Sequence, residues 1–263
     1  MESNVFHEQK EKIMHIYTDS DRKYPVFNEA SLKDLNAAID KAIRTAEIRC
    51  IIFYGKKESF STGLDIKNFE RLPTRRISKL VDQSSRTFDR LGRSDKMTIS
   101  AVSGYCVGGG FELVLATDHI VTSKDAIFAL PEINIGLIPG ADGLKRLIDA
   151  VGSRRAKEIA LTGRFIKADE AMSLGITNEI VPKKKLLTRA VELAEEAAKK
   201  NPQAIRSIKS IAKGNEHDTH RETISSFERC LKTSHAQKAI GEFLNKSRKN
   251  AQGEKRDQKK VKP

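Results

Sequence analysis

Two glycine-containing turns carry residue types that could do chemistry. One has the sequence FSTGLD at residues 60–65, and the other has GYCVGGGFEL at residues 104–113. Each turn follows strand-like sequence and leads into a helix, so each can present unpaired backbone N–H groups at a helix N-terminus. Either turn alone is also typical of a tight strand-to-helix connection. Two N–H groups, one from each turn, could together stabilise one oxyanion.

Two glutamates accompany these turns. Glu112 follows the triple glycine in a first helical turn, and Glu132 lies in the apolar segment LPEINIG at residues 130–136. An acid at a helix start often does no more than complement the helix dipole. An acid among apolar neighbours, however, tends to have a raised pKa that suits proton transfer. Beside an oxyanion site, the two acids are a candidate general acid and base.

Other kinds of site are disfavoured by the sequence. Neither glycine turn fits the dinucleotide-binding or Walker pattern. His217 and His220 lie in a polar segment without an evident third ligand, so we interpret them as surface histidines and predict no metal site. The cysteines are far apart and form no CxxC pair, which indicates a reducing compartment without disulfides. They are Cys50, Cys106 and Cys230.

Hydrophobic periodicity predicts the elements that position these residues. Short apolar strands are predicted at residues 12–17, 50–54, 98–102 and 119–122. Helices are predicted at residues 28–45, 77–91, 111–117, 144–151 and 154–162. Asn28 and Ser31 are the candidate caps of the first helix. The alternation of strands and helices predicts an α/β fold.

The sequence changes in character after Val181 and Pro182. Beyond this point the periodicity predicts only helices, at residues 185–200, from 202 onward, at 223–233 and at 237–246. We therefore predict an α/β catalytic core over residues 1–195 and a helical module over residues 196–249. Residues 250–263 form a basic tail that we expect to be disordered.

Length and charge narrow the class of protein. A chain of 263 residues suffices for one large domain or a domain with an appendage. No apolar run has the length of a membrane helix, and the acidic N-terminus is typical of neither a signal nor a transit peptide. We therefore expect a cytoplasmic protein. Much of the net charge of +13 lies in residues 245–263, which are either a solvated end or a polyanion-binding tail.

Four segments resemble the signatures of the crotonase, or enoyl-CoA hydratase/isomerase, superfamily. They are FSTGLDIKNF, AVSGYCVGGGFELVLATDHIV, FALPEINIGLIPGADGLKRL and LTGRFIKADEAMSLGITNEIV. The segments occur in the family order and spacing, and the resemblance covers about residues 28–248. It implies a spiral of ββα turns with a C-terminal, all-helical trimerisation module. It also implies a homo-oligomer, either a trimer or a hexamer of two stacked trimers.

The resemblance implies roles for individual residues. The backbone N–H groups of Leu64 and Gly109 would form the oxyanion hole for a thioester carbonyl. Glu112 and Glu132 fall on the positions of the two catalytic glutamates of the hydratases, and the N–H of Gly140 would orient the attacking water. The implied activity is that of an enoyl-CoA hydratase, which adds water to a 2-enoyl-CoA to give a 3-hydroxyacyl-CoA. No cofactor is implied, because coenzyme A is part of the substrate.

Four residues are implied in binding coenzyme A. Lys56 and Lys57, near the first signature, are candidates for the phosphates, although both can equally be ordinary surface charges. Phe243 and Lys246 fall on positions from which a neighbouring subunit contributes an aromatic ring and a lysine. In the family an N-terminal segment usually takes part in the contact with coenzyme A as well. The corresponding segment here, residues 21–30, is recognisable but altered.

Two positions near the predicted site depart from the family pattern. Asp142 stands where the third signature usually has a glycine, and we interpret it as the N-cap of the helix near Leu144. Alternatively, the carboxylate of Asp142 could contact a polar acyl group or raise the pKa of a neighbouring glutamate. Leu64 replaces the small residue common in hydratases, so its side chain could narrow the acyl pocket.

The sequence leaves other functions open beside hydration. An isomerase or an acyl-CoA hydrolase could use the same scaffold, because the superfamily changes reaction while keeping the oxyanion hole. RNA binding is a further alternative, through the lysines at 183–185 and 199–200 and the basic tail. We do not expect a nucleic-acid partner, because the chain lacks an RNP-type motif and has few aromatic residues for stacking.

Overall fold

The computed structural model describes residues 4–22, 24–69, 72–213, 227–230, 232–238 and 242. By its internal contacts the chain divides into two units, one over residues 1–200 and the other from residue 201 onward. All of the strands described below belong to the first unit. The domain boundaries near residues 195 and 249 stay a prediction.

Nine strands are present in the described part of the chain. In chain order they are β1 (Val5–Lys10), β2 (Ile13–Thr18), β3 (Cys50–Gly55), β4 (Met97–Val102), β5 (Tyr105–Val107), β6 (His119–Ser123), β7 (Ile127–Ala129), β8 (Ile166–Lys167) and β9 (Glu179–Val181).

The strands form two sheets whose parallel pairing brings the glycine turns together. The larger sheet has the order β1-β2-β3-β4-β6-β9, in which only β1 runs antiparallel to its neighbour. The smaller sheet has the order β5-β7-β8, with β5 parallel and β8 antiparallel to β7. Because β3 and β4 are parallel neighbours, the turns that follow them leave the same edge of the sheet.

The helices of the first unit connect and cover these strands, and the second unit begins with a further helix. In chain order they are α1 (Glu29–Arg44), α2 (Ile66–Phe69), α3 (Thr74–Arg93), α4 (Gly109–Val114), α5 (Gly143–Val151), α6 (Ser153–Thr162), α7 (Ala168–Ser173), α8 (Leu186–Ala198) and α9 (Pro202–Lys213). Short 3₁₀ helices lie at Glu132–Ile135 and Lys183–Lys185. Within the described ranges, no helix combines the length and the hydropathy needed to cross a membrane.

The centre of the larger sheet is buried on both faces, as β3 illustrates. Ile51 and Phe53 face a hydrophobic cluster that includes residues of α1, α3 and α4. The alternating residues Cys50 and Ile52 face a second cluster, which includes the alanines of α8. A strand covered on both sides is apolar at successive positions rather than at alternate ones, which is the pattern of this segment.

The predicted α/β class is confirmed, and the longer elements lie where periodicity placed them. The helix predicted at 28–45 spans Glu29–Arg44, and the side chain of Asn28 caps it by accepting a hydrogen bond from the amide of Ser31 at 2.9 Å. The sequence analysis missed β1 and four strands of only two or three residues. β1 is a largely exposed edge strand, so it needs no apolar pattern.

Several predictions concern residues that the structure leaves undescribed. They are the two surface histidines His217 and His220, the basic tail over 250–263, and parts of the last two predicted helices. The described residues within or next to those helices, 227–230 and 234–238, are helical.

The cap of α1 yields a prediction about stability. Asn28→Ala removes the acceptor for the amide of Ser31 and is expected to lower the free energy of unfolding by about 1 kcal/mol. Asn28→Asp keeps an acceptor at the same place and should cost less. Urea denaturation of the three proteins measures the difference. Equal stabilities of the alanine variant and the wild type would contradict a stabilising role for the cap.

Candidate active site

Backbone pairing holds the first glycine turn against the second. The amide of Ser61 donates to the carbonyl oxygen of Tyr105 at 3.0 Å, and the amide of Val107 donates back to Ser61 at 2.8 Å. On its other side the turn pairs with Phe27, whose amide donates to Gly63 and whose carbonyl accepts from Asp65. This parallel bridge uses the groups before and after residue 64, so the N–H of that residue faces away from Phe27.

Two backbone amides remain available where the turns meet. The N–H groups of Leu64 and Gly109 have no acceptor among the described residues. Gly109 is the first residue of α4, where an unpaired amide and the positive end of the helix dipole coincide. A Cβ on Gly63, which has φ +83°, would lie 3.0 Å from the nitrogen of Gly109. The two predicted oxyanion residues are therefore brought together by a close approach that only glycine allows.

Glu112 is buried in the first turn of α4, and a distant loop binds its carboxyl group. Its Oε1 accepts hydrogen bonds from the amides of Ala141 at 2.8 Å and of Gly143 at 3.0 Å. Burial raises the pKa of Glu112, and these two hydrogen bonds oppose that rise. A Cβ on Gly143 would lie 2.4 Å from Cγ of Glu112, so the cradle also requires glycine.

Glu132 opens the 3₁₀ helix that follows β7 and faces the second glycine turn. Its Oε1 lies 3.0 Å from the point where Gly108 would carry a Cβ. Its Oε2 is buried and has no hydrogen-bond partner among the described residues. Burial raises the pKa of Glu132 to about 7, with a further upward contribution from the charge of Glu112. The carboxyl group can therefore exist in either protonation state near neutral pH, as proton transfer requires.

A cavity of about 530 Å³ unites these groups. Its wall includes Leu64, Gly109, Glu112, Glu132 and Gly140, and the rest of the wall is mostly apolar side chains. Two free amides that can bind an oxyanion thus share one apolar space with two carboxyl groups of raised pKa. Such a set can polarise a carbonyl group and move protons at neighbouring atoms.

Gly140 lies on the loop that cradles Glu112 and closes one side of the cavity. Its amide has no acceptor among the described residues, whereas the next amide, that of Ala141, binds Glu112. A Cβ at Gly140 would lie 2.7 Å from Cγ1 of Val81 in α3. Packing against α3 thus leaves no room for a side chain at this position and fixes the amide beside Glu112.

Asp142 occupies the N-cap position that the sequence predicts, but the interpretation that its side chain caps the helix is wrong. Asp142 precedes α5, but its side chain makes no hydrogen bond to the helix amides. Its backbone is left-handed, with φ +61°, whereas a capping side chain needs an extended backbone at this position. The carboxylate instead accepts a hydrogen bond from the hydroxyl of Ser85 in α3. Its charge also contributes to the raised pKa of Glu112, although less than burial does.

Only two of the four residues implied in binding coenzyme A are described by the structure, and neither lines the cavity. Lys56 and Lys57 are exposed and form ion pairs with Asp19 at 2.9 Å and with Asp21 at 2.8 Å. Neither lysine is among the described residues that line the cavity. Phe243 and Lys246 lie outside the described residues.

Sequence reasoning missed the residues that support Glu112. Ala141 and Gly143 bind Glu112 through backbone amides, which every residue type except proline supplies, so only the two glycines of the PGADG segment hinted at a close contact. Arg146 donates to the carbonyl oxygen of Ala141 at 2.5 Å and so secures the same loop. The sequence predicts α3 only as an amphipathic helix and does not indicate what its apolar face covers.

A family model confirms the class of protein that this fold and site define. The model described as enoyl-CoA hydratase/isomerase matches residues 8–256. The chain belongs to the enoyl-CoA hydratase/isomerase family.

Individual relatives are similar over most of their length. The short-chain-enoyl-CoA hydratase of Clostridium acetobutylicum is 30% identical over 251 residues, which cover 93% of this chain and 95% of that protein. The crotonyl-CoA hydratase of Syntrophomonas wolfei is 27% identical over 252 residues, covering 94% and 97%. The crystal structure of enoyl-CoA hydratase from Bacillus anthracis superposes with a TM-score of 0.86 at 27% identity, covering 93% and 97%. This likeness confirms the predicted crotonase-like fold.

The raised pKa of Glu132 predicts a pH-dependent cost of folding. In the unfolded chain a glutamate has a pKa of about 4.3. Between that pH and about pH 7, the folded chain therefore keeps a proton on Glu132 that the unfolded chain has already released. Folding stability contributed by that proton is lost as the pH rises through this window. Glu132→Gln carries no titrating group, so relative to wild type it should gain about 1–3 kcal/mol between pH 4.5 and pH 8.

Urea denaturation of both proteins at the two pH values measures this gain. Equal denaturant slopes show that the two proteins expose the same surface on unfolding. A stability difference that is the same at both pH values would contradict a raised pKa for Glu132.

The contact between Asp142 and Ser85 predicts a graded effect of two substitutions. Asp142→Ala loses the hydrogen bond and puts a residue poorly suited to left-handed backbone at φ +61°, so it should lower the free energy of unfolding by about 1–2 kcal/mol. Asp142→Asn keeps an acceptor and tolerates this backbone, so it should stay within about 0.5 kcal/mol of wild type. Chemical denaturation compares them, and equal losses would refute the contact.

Proposed function

We propose that this protein is an enoyl-CoA hydratase, which reversibly adds water across the double bond of a 2-enoyl-CoA. The observation that supports this most is the combination within one cavity of two available backbone amides and two carboxyl groups with raised pKa values. The hydratases among its relatives, similar over almost their whole length, support the same reaction.

In this proposal the N–H groups of Leu64 and Gly109 bind the thioester carbonyl oxygen. Water addition at Cβ moves negative charge onto that oxygen, so hydrogen bonds there stabilise the enolate-like intermediate more than the substrate. The location of Gly109 at the start of α4 adds the positive end of the helix dipole. An apolar cavity strengthens both effects, because water does not screen them.

The two glutamates divide the proton transfers. Glu112 and Glu132 hold one water molecule between them, with the N–H of Gly140 as a third contact. Glu112, kept in place by two loop amides, accepts a proton from the water as it attacks Cβ. Glu132, whose Oε2 has no protein partner among the described residues, delivers the proton to Cα. In the reverse direction the same groups exchange roles and the reaction eliminates water.

The pair of carboxyl groups favours hydration over the alternatives. A double-bond shift moves one proton from one carbon to another and can be served by a single acid/base group. Hydration must activate a water molecule and protonate a carbon, which gives both Glu112 and Glu132 a task. Thioester hydrolysis would direct water to the carbonyl carbon rather than to Cβ.

We also infer the setting of the reaction. The enzyme needs no cofactor beyond the coenzyme A of its substrate, whose phosphates contact Lys56 and Lys57. When the substrate binds, these exposed lysines exchange their ion pairs with Asp19 and Asp21 for phosphate oxygens. A neighbouring subunit contributes Phe243 and Lys246 in a homotrimer or a hexamer of two trimers. The protein works in the cytoplasm, and we propose no nucleic-acid or membrane partner.

The proposal predicts that both glutamates are essential for turnover. Wild-type protein should consume crotonyl-CoA, seen as loss of the conjugated enoyl-thioester absorbance, with 3-hydroxybutyryl-CoA as the product. Glu112→Gln and Glu132→Gln should each lower kcat by at least about 10²-fold, because glutamine neither accepts nor donates the proton. Glu192→Gln, on the exposed face of α8, is the control and should leave turnover unchanged.

Three results would contradict this assignment or its mechanism. A folded wild-type protein that binds crotonyl-CoA without consuming it is not a hydratase of simple enoyl thioesters. Near-normal turnover in either glutamine variant would remove that glutamate from the mechanism. Appearance of free coenzyme A or of a 3-enoyl product would identify hydrolysis or isomerisation instead.

A further inference from the structure

One face of α3 forms a wall of the cavity beyond the proposed reaction centre. Val81 packs against Gly140, so this part of α3 lies at the water site. Ser84 and Phe88 also line the cavity, and they follow at about 4.5 Å and 10 Å along the helix axis. Leu32 of α1 lines it as well. An acyl chain that extends past Cβ along this wall meets Ser84 before it meets Phe88.

Ser84 is part of a buried polar pair within this otherwise apolar wall. Ser84 is 4% exposed, and Asn36 of α1, behind it, is 1% exposed. Nδ2 of Asn36 donates to Oγ of Ser84 at 3.4 Å. The neighbouring buried positions of α1 are Leu32, Leu35 and Ile39, so Asn36 occupies a place in an apolar helix face.

The hydrogen-bonding capacity of this pair is not used within the described protein. Oδ1 of Asn36 is buried and has no donor among the described residues. The hydroxyl of Ser84 accepts from Asn36, and it donates to no described acceptor, not even to the preceding turn of its own helix as a helical serine often does. If the side-chain amide of Asn36 is flipped, so that Oδ1 and Nδ2 change places, then Nδ2 is the atom without a partner. Buried polar atoms normally have partners, so this pair is suited to a polar group of a ligand.

We propose that Ser84, held by Asn36, is a specificity site for acyl groups that carry a hydroxyl a few bonds beyond Cβ. This inference rests on the proposed function, since it names the class of 2-enoyl-CoA that the enzyme prefers. Asn36 holds Oγ of Ser84 as an acceptor, which leaves the hydroxyl hydrogen free to point into the cavity. A ligand hydroxyl both accepts and donates, so it complements the hydroxyl of Ser84, which lines the cavity and still has its hydrogen and one lone pair to spare.

The position of Ser84 selects the substrates that test this inference. A hydroxyl two carbons beyond Cβ matches the separation of about 4.5 Å along α3 from Val81 to Ser84. The probe is 5-hydroxypent-2-enoyl-CoA, and its matched partner is hex-2-enoyl-CoA, which has a methyl group in place of the hydroxyl. The measured quantity is the ratio of kcat/KM for the two thioesters. Because the substrates have nearly the same size, the ratio reports the polar contact and not the length of the pocket.

Wild-type enzyme should prefer the hydroxylated substrate by at least about tenfold, because a methyl group leaves Ser84 unpaired in the complex. Ser84→Ala should reduce the ratio at least about tenfold, to near or below one. Ser173→Ala, the same change at an exposed serine of α7 that is not among the cavity-lining residues, should keep the wild-type ratio. A wild-type ratio near one, or an equal change in both variants, would overturn the inference.

Binding measurements separate this inference from the proposed function. Calorimetry with the saturated analogues 5-hydroxypentanoyl-CoA and hexanoyl-CoA reports the polar contact without any reaction. A Ser84-dependent binding preference in a protein that hydrates none of the thioesters would overturn the hydratase assignment and support the site. Hydration of crotonyl-CoA without any preference in either assay would support the assignment and refute the site.

Discussion

The close approach of two glycine turns is the contact on which the rest of the site depends. A Cβ on Gly63 would come within 2.9 Å of the carbonyl oxygen of Val107, and one on Gly110 would come within 2.9 Å of Ser61. Side chains at these places would push the turns apart and separate the amides of Leu64 and Gly109. Parallel pairing of β3 with β4 places both turns at one sheet edge, so the fold supplies the approximate position and the glycines supply the contact.

A second constraint is the cost of burying two carboxyl groups near each other. The protein meets this cost differently at the two sites. Glu112 receives two loop amides, which hold it in one orientation and offset part of the desolvation. Glu132 has an oxygen without a described partner and a pKa of about 7, so its carboxyl group can hold or release a proton near neutral pH. Two glutamates thus differ in hydrogen bonding because their surroundings differ, which suits a reaction that needs an acid and a base.

The helix α3 connects the chemistry with the choice of substrate. Val81 packs on the Gly140 loop, and Ser85 binds Asp142 on that same loop. Ser84, next along the helix, faces the cavity and contacts Asn36. Because one rigid element carries all three side chains, the position of the wall proposed to meet the acyl group is tied to the position of the loop that holds Glu112 and the amide of Gly140.

The local pattern of the sequence was sufficient to find the two glycine turns, both glutamates and most long helices and strands. Glycine runs, an acid among apolar residues and hydrophobic periods are properties of neighbouring residues, and the resemblance to the family assigned their order. Tertiary structure alone decided what surrounds them. The amides that bind Glu112 come from 29 and 31 residues away, and the serine that binds Asp142 comes from 57 residues away. The left-handed backbone of Asp142 prevents the cap that its residue type suggested, because a side chain can only reach the atoms that the folded chain places within its range.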